Sequence, residues 1–228
     1  MIKEVNNTKQ SNYLKPTNNL YMKQIFLILL LPFLTFAQNN STLFPDNDLD
    51  DKNDRIETLR TIAGIYYQTK DYDSALLTYE KILQERANDE EALYMKGVIF
   101  ISDKNYKKAV DHLEAQIKLN SDNYHNYNNL AWLYATADDV NFRNAKKSLD
   151  LSLKALVLAP YDKHIWSTLA EAYFISGNFI KAKRAMQQVV ALATQDGSKL
   201  TEDMVKIYNS QIEKFERAIN TQKLIDLD

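Results

Sequence analysis

Four times along the chain, an apolar run at helical spacing is followed by a short polar turn and a second apolar run. The second runs read DYDSALLTYEKIL, NYKKAVDHLEAQI, AKKSLDLSLKAL and NFIKAKRAMQQVV, and their small residues Ala75, Ala109, Ser148 and Ala182 lie 34, 39 and 34 residues apart. Each is preceded by a large residue, a small one and an aromatic: Leu59-Ala63-Tyr66, Leu93-Gly97-Phe100, Tyr127-Ala131-Tyr134 and Trp166-Ala170-Tyr173. Steps of four and then three put these residues on one helix face. A period in the thirties, with helix-compatible residues between turns, predicts stacked helix pairs, each burying its apolar face only against its neighbour.

The small residues fall where paired helices must cross. Side chains no larger than Ala or Ser there allow the short end of the usual 8–10 Å separation. After the fourth pair, residues 201–220 form one more amphipathic stretch, with Met204, Ile207, Tyr208, Ile212, Phe215 and Ile219 on the apolar side. Glu202, Lys206, Glu213, Lys214 and Arg217 give it a polar back. That combination suits a helix that caps the array, and residues 195–228 are assigned to this cap and tail.

The amino-terminal part has a different pattern. Residues 25–37 read IFLILLLPFLTFA, thirteen residues without a charge, after Lys23 and before the polar run Gln38-Asn39-Asn40-Ser41-Thr42. That length is short of the roughly 20 residues of a spanning helix and fits a signal-peptide core, with Thr35-Phe36-Ala37 supplying small residues for a cut before Gln38. Residues 1–37 are therefore expected to be a leader and signal peptide, with Met22 as the natural start; the alternative is an N-terminal membrane anchor. No stable span is expected once the leader is cut. Residues 38–54, with Asp46, Asp48, Asp50 and Asp51, read as an acidic flexible linker.

Composition narrows the chemistry. With 4 Gly and 4 Pro in 228 residues, folds built on many tight turns and Gly-cradled phosphate sites are disfavoured. The absence of Cys excludes disulfide frameworks, thiolate metal sites, cysteine nucleophiles and a lipoprotein anchor. A net charge of -2 offers no basic field for nucleic acid, and removing residues 1–37 leaves 24 basic and 29 acidic residues. None of His112, His125 and His164 lies in a metalloprotease motif, and nucleophile-elbow and Walker motifs are missing. Glu57, Glu91, His125 and His164 share one repeat position, but stacked helices about 8–10 Å apart cannot bring such a column within 2 Å of one ion. The column reads as solvated helix starts. No metal, cofactor or catalytic set is expected.

These residues make the chain resemble a tetratricopeptide repeat protein. The fourth repeat carries the pattern best, with Trp166, Leu169, Ala170, Tyr173, Gly177 and Ala182. The first has Leu59, Ile62, Ala63, Tyr66, Ala75 and Tyr79; the second Leu93, Gly97, Phe100, Ala109 and Leu113; the third Leu130, Ala131, Tyr134, Ala155 and Pro160. Repeats are expected at about 56–89, 90–123, 124–162 and 163–196. Departures are Lys96 for Leu, Ile82, Gln116 and Val189 for small residues, and a closing Pro in the third repeat alone. The third repeat also carries five extra residues around residues 137–144, expected as a loop with Asn144 capping the next helix. Its stretch NLAWLYATADDVNFRNAKKSLDLSLKAL resembles a variant common in bacterial exported members.

The resemblance implies an all-α, right-handed superhelical solenoid whose first helices line a concave groove. It places Arg60, Tyr67, Tyr94, Val98, Ile101, Asn128, Trp132, Glu171 and Phe174 in that groove, together with Gly64, Gln68, Thr136, Ser167 and Ile175. Aromatic anchors beside polar groups suit a protein or peptide contact. The paired Lys and Asn by which chaperone-binding members clamp a carboxylate are replaced by Arg60 and Gly64. The expected function is a non-enzymatic scaffold, exported to the periplasm or beyond, that binds a protein segment in its groove during envelope complex assembly. The alternative is a structural subunit that self-associates through its solenoid ends.

Overall fold

The computed structural model describes residues 47–195 and 199–226. The expected leader, signal peptide and first residues of the linker lie outside them. The described residues form helices α1 (Asn47–Gln68), α2 (Tyr72–Glu85), α3 (Glu90–Ser102), α4 (Tyr106–Leu119) and α5 (Tyr124–Thr136). There follow a 3-10 turn (Val140–Phe142), α6 (Ala145–Leu158), α7 (Lys163–Ile175), α8 (Phe179–Ala193) and α9 (Glu202–Ile225). Successive helices pack as antiparallel pairs, α1 with α2, α3 with α4, α5 with α6 and α7 with α8, and α9 lies against the last pair. First helices also touch one another, α3 with α5 and α5 with α7.

The boundaries follow from local chemistry. Asp71, Asp89, Asn123, Asn144, Asp162, Asn178 and Thr201 each accept a backbone N–H from the first turn of the helix they precede. Within the first, second and fourth pairs the turn passes through a left-handed residue, at Lys70 (φ 64°), Lys104 (φ 61°) and Gly177 (φ 75°). The bonds Asp71 N–H to Tyr66, Asn105 N–H to Phe100 and Asn178 N–H to Tyr173 close the Schellman pattern. Residues 47–54, read in sequence as part of a flexible linker, are the opening turns of α1. The helix continues outward from its packed half.

The helix crossings are as tight as the small residues require. Ala63, Ala75, Ala109, Ala131, Ser148, Ala170 and Ala182 are all fully buried. At Gly97 an added Cβ would come within 3.0 Å of Leu113 Cδ2. Ser148 turns its necessity into a bond, donating its hydroxyl to the Ala131 carbonyl at 2.9 Å. The departure at Lys96 is accommodated by an ion pair with Glu80 of α2 at 3.0 Å. The extra residues of the third repeat fold onto its neighbour: Phe142 lies 5.5 Å from the Tyr106 ring, and Tyr106 Oη accepts the Asp138 N–H at 3.0 Å. Asn144 caps α6 through the Lys147 N–H.

Candidate functional site

The first helices α1, α3, α5 and α7 carry the residues assigned to the groove, and the structure divides these residues into four groups. Arg60 is tied down: its guanidinium pairs with Glu57, with the α3 cap Asp89 and, at 3.0 Å, with Glu91. Burial works against that cation, but the hydrogen bond to Asp89 and the carboxylates outweigh it and raise its pKa. Arg60 thereby bolts the first repeat to the second. Val98, Ile101 and Trp132 are buried, since α3 and α5 pack against each other and take in side chains that a wider groove would display.

Glu171 and Phe174 meet α9. Lys214 Nζ bonds both Glu171 oxygens, at 2.9 and 3.0 Å, and lies 4.1 Å from the Phe174 ring centre. Phe174 also packs on Phe215, ring centres 5.4 Å apart. The capping helix therefore occupies the wall of the fourth repeat.

Tyr67, Tyr94 and Asn128 remain half-buried. Tyr67 Oη lies 3.1 Å from Ser102 Oγ, and burial pushes its phenol up to about 12. Tyr94 meets the His125 ring edge-on at 5.3 Å, and burial raises its phenol while Asn129 hydrogen-bonds it. His125 in turn stacks with Tyr124 at 4.0 Å. Burial lowers His125, opposed by Asp162 and Glu90, and lowers His164 to about 4, with Asp162 opposing and Lys163 and His125 assisting.

This polar and aromatic nest between the second, third and fourth repeats was not legible as a unit in the sequence. His125 and His164 were expected as solvated helix starts; instead both are half-buried, because the α3–α5–α7 packing closes over them. Their shared repeat position and the Tyr94 one turn along were the signals available. Two buried polar atoms in this region, Asn128 Oδ1 and His164 Nδ1, have no hydrogen-bond partner among the described protein groups. Among the described residues, no three His, Asp or Glu could hold a metal ion together, and no helix is long and apolar enough to cross a membrane.

A family model described as tetratricopeptide repeat matches residues 90–123, the α3–α4 pair with its following turn. Comparison with curated proteins returned no match. Among solved structures, TTC0263, a thermophilic repeat protein of this kind in Thermus thermophilus, is 20% identical, with a TM-score of 0.57 over 72% of this chain and 82% of that one. PilW, a widely conserved type IV pilus biogenesis factor, is 18% identical with a TM-score of 0.52 over 72% and 86% of the two chains. MamA from Desulfovibrio magneticus RS-1, from its residue 41 onward, is 24% identical with a TM-score of 0.50 over 63% and 78%.

The described residues thus have the fold of a tetratricopeptide-repeat array, with the family model itself matching the second helix pair.

Proposed function

We propose that this protein is an exported, non-enzymatic scaffold that holds a segment of a partner protein along its first helices during assembly of an envelope complex. The observation that carries the reading is the nest at the middle of the array, where the half-buried rings of Tyr67, Tyr94 and His125 accompany Asn128, whose side-chain oxygen has no partner among the described protein groups. Rings supply contact area at low entropic cost, and amides of this kind match the alternating donors and acceptors of a peptide backbone. Export rests on the uncharged run at residues 25–37 and the small residues before Gln38.

The test is affinity capture from envelope extract with the wild-type protein and with Tyr67→Ala and Asn128→Ala. If the nest is the contact, each variant should keep its fold by circular dichroism and lose at least about 2 kcal/mol of affinity for the captured protein, roughly thirtyfold in Kd. Equal capture by folded variants would refute the site. Trp132 does not serve this test, since truncating a residue this buried reports on packing.

A further inference from the structure

The two ends of the array are finished differently. At the carboxyl end α9 covers the fourth pair, and its Phe215 is 0% exposed. At the amino end α1 presents Ile62, Ile65 and Tyr66, spaced three and four apart on one stripe, at 38%, 55% and 36% exposure. The repeat itself shows what this stripe is for. Ile65 corresponds to Ile99, Leu133 and Ala172, each 0% exposed, and Ile62 to Leu130 and Leu169, each 2% exposed. Ile99 reaches that burial by packing among Ile56, Ala63, Ala75 and Tyr79 of the preceding repeat. The first repeat keeps the same apolar residues without a preceding pair among the described residues.

Chain length limits what this chain can lay over the stripe once its leader is gone. From Asn47 the helix runs about 22 Å before it reaches Ile62, at 1.5 Å per residue. A segment folding back from Asn47 must retrace that distance. Of the residues between Gln38 and Asp46, the large apolar ones are Leu43 and Phe44, and fully extended they reach only about 14 Å from Asn47. Only the polar residues 38–40 extend far enough.

We infer that the mature chain forms a closed two-fold dimer in which the Ile62-Ile65-Tyr66 stripes of two copies of α1 pack against each other; this rests on the proposed cut before Gln38. The stripe is self-complementary, as a two-fold contact requires. The crossing is antiparallel, because a parallel one would bring Asp51 and Asp54 of both copies side by side. With the other end capped by α9, association stops at two and does not run on into a filament.

The experiment measures the mass of the exported, purified protein by light scattering, after intact-mass analysis has fixed its first residue. A start at Gln38 with twice the mass of one chain is expected. Ile65→Glu should halve that mass without changing the helical signal, whereas Leu224→Glu at the far tip of α9 should leave it unchanged. As the chain contains no Cys, Ile65→Cys provides a single thiol, which should oxidise to a cross-linked dimer. A monomer at hundreds of micromolar, or a dimer that survives Ile65→Glu, overturns the inference. A chain that retains residues 25–36 removes its premise, because from Phe36 about 36 Å of chain reaches the stripe from within. Groove binding is read separately by the Tyr67 and Asn128 variants, so failure of one reading does not disguise failure of the other.

Discussion

Phe215→Ala is the sharpest test of how the array ends. The ring is fully buried among Ala170, Ala182, Ala185, Met186 and Val189, and it stacks on Phe174 at 5.4 Å. Truncating a buried Phe costs about 3–5 kcal/mol, because the lost burial is compounded by a cavity. The ring pair contributes about 0.5–1.5 kcal/mol of that figure and is not additional to it. Single domains are stable by about 5–15 kcal/mol, so this one change would remove a large fraction of the total. The loss should also be local. In a solenoid each pair touches only its neighbours, so α9, α8 and α7 should open before α1 to α4 feel the change. Urea denaturation gives the magnitude, and hydrogen exchange resolved by segment gives the location. A loss below about 1 kcal/mol, or exchange accelerated evenly from α1 to α9, would show that α9 is not the cap argued here.

Two further predictions concern backbone and charge. Lys70→Gly and Lys104→Gly should each stabilise by about 0.5–1 kcal/mol, since both residues hold a left-handed φ that costs a side chain about 1–2 kcal/mol, partly offset by the entropy of an unfolded glycine. Lys70→Ala should gain nothing, and an Ala variant as stable as the Gly variant would refute the strain argument. The second prediction concerns pH. Burial holds His164 at about 4, below its ordinary 6.5, so the folded state binds fewer protons than the unfolded one. The stabilisation from the neutral ring is complete above about pH 6.5 and is lost as pH falls toward 4. Denaturation midpoints should drop over that window, and less steeply in His164→Gln; identical slopes for the two proteins would refute the assignment.

Most of the architecture could be read from the sequence because it depends on spacing. Ala63, Gly97, Ala131 and Ala170 mark one crossing face, Ala75, Ala109, Ser148 and Ala182 the other, and the helix pairs follow at these positions. Boundaries were less legible. The Asp-rich start of α1 has the composition of a linker, yet it continues a helix already nucleated by the packed residues beyond it. The wall residues were least legible, because exposure at one position depends on how closely neighbouring first helices approach. Trp132 and Val98 occupy equivalent positions on α5 and α3, and only the assembled α3–α5 contact decides that both lie inside. Similarly, nothing local to Glu171 announces that Lys214, 43 residues later, will pair with it.

The third repeat is five residues longer than the others, yet α5 and α6 have 13 and 14 residues, the same as α3 and α4. Its extra residues are spent in the turn, where Phe142 and Asp138 lean on Tyr106, and none of them enters a helix crossing. The rise of the solenoid is therefore metered by helix length and is indifferent to residue count. The repeat-internal turn is thus a place where this array can lengthen without losing phase, and a recognition sequence grafted between Asp139 and Arg143 would be displayed on the molecule while the stacking on either side kept its step.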